Sequence, residues 1–201
     1  MLRNLLSRLG EQTSVAIVLR KIVELNFRQE KRAIRESLTL RHGESILDLG
    51  CGTGEFAPLF RAEDYRGLDI EPSNIAYAKR HYPRYQFQTG DAMKLPFPDA
   101  SFAAILVVGV LHHLSLEECR RTLSEMQRVL KSGGKVLVME DTKTERLVSR
   151  VMHDLDQGAY IRSEAEWQAL LREFFSINRS WTFKSGVCFY SGFFLAHRTG
   201  V

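Results

Sequence analysis

Cysteine is scarce in this sequence, and its scarcity excludes two kinds of fold. The 201 residues contain only Cys51, Cys119 and Cys188, which are too few and too scattered for a disulfide framework or a zinc cluster. We therefore expect reduced thiols and a cytoplasmic protein. Internal repeats, low-complexity tracts and Pro/Ser-rich linkers are also lacking, so the length and the apolar content predict a single core.

Excess charge of one sign is low and is confined to the amino end. The formal net charge is +4, and residues 1–45 account for it with nine Lys or Arg against five Glu. Because this excess is modest, its acids are interleaved and no nucleic-acid module is recognisable, the sequence disfavours nucleic acid as a partner.

Long apolar runs are absent from the same amino-terminal region. Leu2–Leu9 and Val15–Val23 are amphipathic helical patterns, each too short to span a bilayer. No small-residue cleavage site follows them, so we expect no signal peptide. Three interpretations stay open for this arm, residues 1–44: helices packed on the domain or between subunits, a lid over a substrate pocket, or a basic surface for peripheral contact with an anionic membrane or a lipid substrate.

What the sequence does contain is a glycine-rich turn within Ile46–Glu55. A short apolar run passes through Asp48 into glycines at every second position, from Gly50 to Gly54. Glycine is used where the backbone needs unusual dihedral angles or must lie close to a ligand. The pattern predicts a strand, a ligand-binding turn and then a helix with unpaired first amides. Cys51 has no base paired with it in the sequence, so we interpret it as a small side chain tolerated beside a cofactor.

The glycine spacing distinguishes between two cofactors. A dinucleotide fingerprint has the pattern G-x-G-x-x-G, but here Glu55 occupies the place of the third glycine. The string resembles instead motif I of the class I S-adenosylmethionine-dependent methyltransferases. That motif, D/E-x-G-x-G-x-G, is matched at Asp48, Gly50, Gly52 and Gly54. The resemblance implies that S-adenosylmethionine is the cofactor and that these residues and Cys51 form part of its site.

Two more acids follow the next predicted strands. Asp69 lies about 20 residues beyond the first glycine, where a carboxylate can accept both hydroxyls of a ribose, although a solvated loop acid is the alternative. Phe87–Phe102 resembles the methyltransferase stretch in which an acid, here Asp91, meets the adenine amino group. The resemblance assigns three further residues to the cofactor site: Ile70, Ala92 and Leu111.

Predicted strands alternate with helical stretches along the chain. The strands are expected near 45–49, 65–70, 85–89, 102–108 and 135–140, and this order predicts an α/β fold with a doubly wound, Rossmann-like parallel sheet. Two last strands, 176–184 and 187–197, predict a hairpin. The resemblance implies that the final strand is antiparallel to the rest. It covers residues 43 to 197, and we expect residues 45–201 to form the cofactor-binding domain.

Two helices are predicted from capping boxes and apolar periodicity. Ser115 and Ser163, each followed three residues later by Glu, are typical helix starts. The first helix presents a face that we expect to run from Leu116 to Leu130, before the break at Gly133 and Gly134. The second presents an aromatic and aliphatic face: Trp167, Leu170, Leu171, Phe174 and Phe175.

The resemblance also implies the reaction, methyl transfer from a sulfonium to an acceptor. Alignment of the two reactants in a dry pocket is then the main contribution of the protein. An acceptor that must lose a proton also needs a base, for which we select His113 first and Asp141 second. The other candidate bases are His112, Glu140, His153, Asp154, Asp156 and Tyr160. The adjacent His112 and His113 do not predict a metal site, because the side chains of neighbouring residues point in different directions.

The acceptor class is predicted from the segments after the fourth and before the fifth strand. Leu111–Leu114 and Gly133–Leu137 resemble a broad group that includes ubiquinone and menaquinone biosynthesis methyltransferases and many natural-product and lipid methyltransferases. We expect a small, hydrophobic or lipid-like acceptor.

Two other classes of function stay open. A NAD-dependent oxidoreductase is disfavoured by Glu55. A non-catalytic cofactor-binding or scaffold protein is disfavoured because Asp48, Asp69 and Asp91 are all retained. The oligomeric state is left open.

Overall fold

The structure, a computed structural model, describes residues 27–143, 160–186 and 188–197 of the chain. The expectations for residues 1–26 and for His153, Asp154 and Asp156 therefore lie outside the described residues. Within the described ranges, no helix is long and apolar enough to cross a membrane.

Helices and strands alternate along these ranges. The helices are α1 (Arg28–Ser37), α2 (Pro72–His81), α3 (Leu116–Val129) and α4 (Glu164–Arg172), with 3-10 turns at Ala57–Leu59 and Leu111–His113. The strands are β1 (Ile46–Leu49), β2 (Tyr65–Asp69), β3 (Gln86–Thr89), β4 (Phe102–Val108), β5 (Leu130–Asp141), β6 (Phe175–Ser185) and β7 (Cys188–His197).

These strands form a single sheet in the order β3-β2-β1-β4-β5-β7-β6. The strands from β3 to β5 in that order are parallel, and β7 is antiparallel to both of its neighbours. The predicted fold class, a mostly parallel doubly wound α/β sheet with an antiparallel last strand, is confirmed. The strand order reverses between β1 and β4, and the carboxyl ends of strands at such a switch point form a crevice for ligands.

Apolar side chains cover both faces of the central strands. Along β4, Ile105 and Val107 belong to one core layer, whereas Leu106 and Val108 belong to the other. Continuous apolar sequence is expected of a parallel strand that is buried on both faces. The first layer contains residues of α3 and α4, and the second contains residues of α1 and α2.

Helix α1 lies within the segment predicted to be an arm, but it packs on the domain. Ile34 is buried in the second core layer. Lys31 Nζ lies 2.5 Å from Glu55 Oε1, and the ring of Phe27 meets that of Phe56 edge-on at 5.6 Å between centroids. Helix α1 is therefore attached to the segment that follows the glycine-rich turn. The division of the chain at residue 44 stays a prediction.

The prediction of an α-helix directly after the glycine-rich turn is wrong. The chain forms only the 3-10 turn Ala57–Leu59, with Pro58 at its start. Bends and turns occupy the rest of the chain up to Tyr65, where strand β2 begins. The aligned amides expected at a helix start are consequently missing from this turn.

Four residues predicted on buried, apolar helix faces depart from that prediction. Leu130 begins β5, because its backbone pairs with that of Phe102, and α3 ends at Val129. Phe174 lies in the turn after α4, and Phe175 begins β6. Leu116 lies in the first turn of α3 but is 46% exposed. Both capping boxes are confirmed, since Ser115 and Ser163 accept hydrogen bonds from the predicted glutamate amides.

Candidate active site

A cavity of about 300 Å³ lies at the carboxyl ends of the parallel strands β1 to β4. Carboxyl ends of parallel strands meet at one edge of the sheet, so residues from four separate segments converge here. His113, the first candidate base, is among the lining residues. Six residues predicted to bind the cofactor also line the cavity: Gly50, Gly52, Asp69, Ile70, Asp91 and Ala92.

Five other predicted site residues do not line this cavity. Asp48, Cys51, Leu111 and Asp141 are each buried, and Gly54 packs where an added Cβ would lie 2.9 Å from Phe87 Cζ. Direct contact of these residues with a cofactor or an acceptor stays a prediction.

The glycines of the turn meet different surroundings. At Gly50, with φ of +73°, an added Cβ would lie 2.3 Å from Val110 Cγ2, so the backbone is packed against the segment after β4. At Gly52, with φ of +51°, an added Cβ would meet no atom within 4 Å. Both angles favour glycine, but only Gly52 offers open space in which a ligand can approach the backbone.

The carboxylate of Asp69 connects the glycine-rich turn to the start of α2. Its Oδ2 accepts a hydrogen bond from the Gly52 amide at 2.8 Å. Its Oδ1 accepts bonds from the Glu71 amide at 2.9 Å and from Asn74 Nδ2 at 3.2 Å. Asn74 also lines the cavity and was not predicted from the sequence. Its place in the first turn of α2, close behind a strand-end acid, was the available signal.

Asp48 supports the end of β1 from the buried side. The hydroxyl of Tyr65, a fully buried residue, donates to Asp48 Oδ2 at 2.6 Å. Burial raises the pKa of Asp48 to about 7; the bond from Tyr65 opposes this shift, and the charge of Asp69 adds to it. Burial, followed by the charge of Asp48, also raises the pKa of Tyr65 well above its usual value, so Tyr65 remains a hydroxyl donor.

Cys51 is unsuited to nucleophilic chemistry. Burial raises the pKa of its thiol above the usual range, and the nearby charges of Asp48 and Asp69 raise it further. Since the thiolate is the reactive form of cysteine, this environment suppresses its reactivity. The expectation that Cys51 is not a nucleophile agrees with this environment, whereas its place beside a cofactor stays a prediction.

The turn after β4 is held by Glu140 at the end of β5. Glu140 is fully buried, and its Oε1 accepts from the amides of Val110 at 3.0 Å and Leu111 at 2.9 Å. Its Oε2 accepts from the amide of His112 at 3.3 Å and lies 2.8 Å from Nδ1 of the same histidine. The sequence indicated Glu140 only as a candidate base, whereas the structure surrounds its carboxylate with donors.

Arg162, which no sequence pattern indicated, contacts the carbonyl groups of the same turn. Its Nη1 donates to Leu111 O at 3.3 Å and its Nη2 to Leu114 O at 3.0 Å. The guanidinium also lies over the ring of Trp167, at 4.8 Å from the centroid. The amides and carbonyls of this turn therefore have separate side-chain partners.

The two candidate bases occupy different environments. His113 is exposed toward the cavity, with its ring centroid 4.1 Å from that of buried His112. Asp141 follows Glu140 on β5, and because successive strand side chains alternate, it points to the opposite face of the sheet. Its carbonyl accepts from Trp167 Nε1 at 3.1 Å. The structure thus brings His113, but not Asp141, to the cavity.

A larger cavity, of about 550 Å³, lies along the edge strand β3. Its lining includes Arg66, Lys79 and Gln86 but none of the predicted site residues. The smaller cavity is therefore the candidate active site.

Comparison with known proteins gives a family match over this part of the chain. A family model described as a methyltransferase domain matches residues 47–138. A demethylmenaquinone methyltransferase of Beutenbergia cavernae is 37% identical over 112 residues, covering 55% of this chain and 46% of the relative. A 27-O-demethylrifamycin SV methyltransferase of Amycolatopsis mediterranei is 34% identical over 152 residues, covering 68% of this chain and 55% of the relative. The chain spans about half the length of the curated relatives it matches.

Solved structures share the fold at low sequence identity. The PH0226 protein of Pyrococcus horikoshii has a TM-score of 0.68 at 19% identity, over 86% of this chain and 91% of that one. A geranyl diphosphate methyltransferase in complex with GPP and sinefungin has a TM-score of 0.71 at 11% identity, over 84% and 78%. The [4+2]-cyclase SpnF has a TM-score of 0.70 at 23% identity, over 86% and 82%. The family match, the relatives and the sheet order together support a class I S-adenosylmethionine-dependent methyltransferase.

Proposed function

We propose that this chain binds S-adenosylmethionine in the 300 Å³ cavity and transfers its methyl group to a small, apolar, quinone-like acceptor. The observation that carries the proposal is the convergence of four features on one cavity: the open backbone at Gly52, the carboxylates of Asp69 and Asp91, and the exposed ring of His113. Each feature matches one requirement of the cofactor or of the acceptor.

The cavity lining fits the parts of S-adenosylmethionine. The Gly52 and Glu71 amides hold Asp69 at the end of β2, where its carboxylate lines the cavity and can also accept from a ribose hydroxyl. Asp91 is exposed at the end of β3, within reach of an adenine amino group, and Ile70, 71% exposed beside the cavity, offers an apolar surface for the ring. Two carboxylates in one small cavity also favour a cationic ligand.

Proximity and a proton acceptor are the contributions expected of this chain. When bound, S-adenosylmethionine supplies a methyl group on a sulfonium that leaves as a neutral thioether. The cavity aligns the acceptor with that group and limits the access of water. His113 then accepts the proton that a hydroxyl acceptor loses, whereas Asp141, the second candidate from the sequence, does not line the cavity. Glu140 is engaged elsewhere, because three backbone amides donate to its oxygens, His112 Nδ1 lies against Oε2, and Glu140 does not line the cavity.

The acceptor class is supported by the relatives and by the wall beside His113. The names of the relatives specify demethylmenaquinone and a rifamycin derivative as the compounds that those proteins methylate. In this chain, Val110 and Leu114 line the cavity beside His113, so a base adjoins apolar side chains. This combination suits a flat, apolar molecule with an ionisable hydroxyl group.

A nicotinamide oxidoreductase is disfavoured by the segment after the glycine-rich turn. Glu55, in the place of the third dinucleotide glycine, is paired with Lys31, and only a 3-10 turn follows it. A pyrophosphate would lack the helix start on which it normally binds. A shared fold does not determine the reaction, as the cyclase among the structural neighbours illustrates, so transfer must be tested separately from binding.

The test has two stages. Calorimetry and thermal unfolding with S-adenosylmethionine, S-adenosylhomocysteine and NAD should show binding and stabilisation by the first two only. Transfer of labelled methyl groups is then measured with a reduced naphthoquinone and with a polar phenol of similar acidity, and we expect greater transfer to the naphthoquinol. Stabilisation by NAD alone would contradict the cofactor assignment. Cofactor binding without transfer to any apolar acceptor would favour the scaffold alternative.

A further inference from the structure

We propose that Glu140 and Arg162 act as a pair of positioning residues that hold the turn Val110–Leu114 from both ends. This turn forms one wall of the cavity, between the end of β4 and the start of α3. The inference rests on the proposed function only for the identity of the molecules that the wall contacts.

The turn has few internal bonds with which to hold its shape. His113 N–H donates to Val110 O and Leu114 N–H donates to Leu111 O, both at 3.1 Å. A 3-10 turn of this length leaves its first amides and last carbonyls without partners inside the turn. Groups from elsewhere in the fold must therefore satisfy them: the Tyr160 amide donates to His112 O at 3.0 Å, and side chains contact the others.

Glu140 accepts hydrogen bonds at the amino end of the turn. The donors are the consecutive amides of Val110, Leu111 and His112, between 2.9 and 3.3 Å from its oxygens. Hydrogen bonds to an ionised acceptor are stronger than those between neutral groups, and burial makes their geometry more restrictive. A buried carboxylate with several donors therefore fixes the position of this backbone.

Arg162 donates at the carboxyl end of the turn. Its two terminal nitrogens reach the carbonyls of Leu111 and Leu114, and stacking on Trp167 restricts the guanidinium. Arg162 also pairs through its backbone with the end of β5, where Lys143 N–H donates to Arg162 O at 3.1 Å. Both positioning residues are thus anchored at the same strand end, so the turn is fixed relative to β5.

The held turn affects both sides of the cavity. Val110 packs against the position where Gly50 lacks a side chain, so a displaced turn changes the space around the glycine-rich turn. His113, three residues further along, lines the cavity as the candidate base. Glu140 and Arg162 therefore influence cofactor affinity and the placement of the base without lining the cavity themselves.

Glu140→Gln tests this role with almost no change in side-chain size. Whichever way the amide is oriented, its NH₂ group faces at least one backbone N–H that formerly donated to a carboxylate oxygen. At least one hydrogen bond is then replaced by a contact between two donors. We expect affinity for S-adenosylhomocysteine to fall about tenfold or more, together with loss of hydrogen-exchange protection at the amides of Val110, Leu111 and His112.

Ser191→Ala is the matched control for general loss of stability. Ser191 is fully buried on β7 directly opposite Glu140, and its Oγ accepts from Thr142 Oγ1 at 2.6 Å. The substitution removes a buried hydrogen bond at the same strand end without contacting the turn. Affinity for S-adenosylhomocysteine should therefore stay within about twofold of the wild type, even where the melting temperature falls as far as in Glu140→Gln.

Arg162→Met provides a second test if Glu140→Gln does not fold. Arg121→Met is its control, because Arg121 pairs only with exposed Glu117 on the surface of α3 among the contacts of the described residues. We expect Arg162→Met to raise the KM for the acceptor or lower kcat several-fold, with Arg162→Lys partly restoring the loss because one carbonyl remains within reach of its ammonium.

These measurements separate the two proposals. If wild-type protein fails to bind S-adenosylhomocysteine, the proposed function is wrong, and the positioning role is decided by amide exchange in the turn alone. If wild-type protein binds, but Glu140→Gln and Ser191→Ala have equal affinity at equal loss of stability, the positioning role is wrong. A selective loss of both affinity and amide protection in Glu140→Gln supports it.

Discussion

The two halves of the cavity are held together in different ways. At the ends of β1 and β2, Asp69 reaches Gly52 across 17 positions, and both residues belong to recognisable motifs. At the ends of β4 and β5, Glu140 contacts its partners across 28 to 30 positions and Arg162 across 48 to 51. The first half presents backbone and carboxylates to a ligand, whereas the second places a turn by means of one buried and one half-buried side chain, Glu140 and Arg162. Substitutions should therefore act on binding in the first half and on positioning in the second.

The largest expected difference within the first half is between Gly50→Ala and Gly52→Ala. Both substitutions place a side chain on a residue with left-handed backbone angles, which lowers the free energy of unfolding by about 1–2 kcal/mol. Only Gly50→Ala also overlaps Val110, which adds about 1–3 kcal/mol of overpacking to its loss in the free energy of unfolding. Compared with Gly50→Ala, Gly52→Ala should lose less free energy of unfolding but more cofactor affinity. Urea unfolding and calorimetry on both variants test this, and equal effects at the two glycines would contradict their separate roles.

Asp69→Ala should have the next largest effect. We expect cofactor binding to weaken by about 1.5–3 kcal/mol, the range for hydrogen bonds to charged groups. Because Asp69 also accepts from the Gly52 amide, Asp69→Asn serves as the control that preserves size and one acceptor oxygen. Calorimetry with S-adenosylhomocysteine gives the measurement. Unchanged affinity in a folded Asp69→Ala variant would remove this carboxylate from the site.

Asp48→Asn should change the pH dependence of stability. The pKa of Asp48 is raised from its usual 3.8 to about 7 in the folded protein, so between these values the folded state holds a proton that the unfolded chain has released. The free energy of unfolding therefore falls as pH rises through this window, by at most about 1.4 kcal/mol per pH unit, and levels off above it. Asp48→Asn should remove that slope, as urea unfolding from pH 4 to 8 would reveal. A slope that persists belongs to another group.

The smallest expected effect concerns the attachment of α1 to the glycine-rich turn. Lys31→Met removes a mostly buried ion pair with Glu55 and should cost about 1 kcal/mol of stability, together with a modest loss of cofactor affinity. Arg32→Met removes the neighbouring exposed pair with Glu36 and should change neither quantity measurably. If both variants behave alike, α1 is packed on the domain without influencing the turn.

The sequence predicted best those features that depend on local order along the chain. Asp69 and Asp91 follow strands, and parallel strand ends meet at one edge, so their convergence with Gly52 could be expected before the structure was known. The helix after the glycine-rich turn was wrongly predicted because the glycine spacing locates the turn but does not report whether the residues after it form an α-helix or a 3-10 turn. Arg162 gave no signal, since its partners lie far away in sequence and are backbone carbonyls, which every residue carries.

The role of Glu140 shows a further limit of sequence interpretation. An acid at a strand end predicts a base as readily as a structural acceptor, and only the buried contacts with three successive amides distinguish the two. Asp48 is similar, because its partner Tyr65 lies on the neighbouring strand and carries no motif. The partners of these two buried acids come close only when neighbouring strands are aligned in the sheet, and a single sequence does not reveal that alignment.

The most direct test of the central claim is a titration of isotopically labelled protein with S-adenosylhomocysteine, followed through its backbone amide resonances. If the cavity at the strand ends is the cofactor site, saturation should shift the amides of Gly52, Ile70 and Asp91, and should leave those along the β3 edge cavity, such as Arg66 and Gln86, unchanged. Shifts confined to the β3 edge, or none at millimolar ligand, would contradict the account.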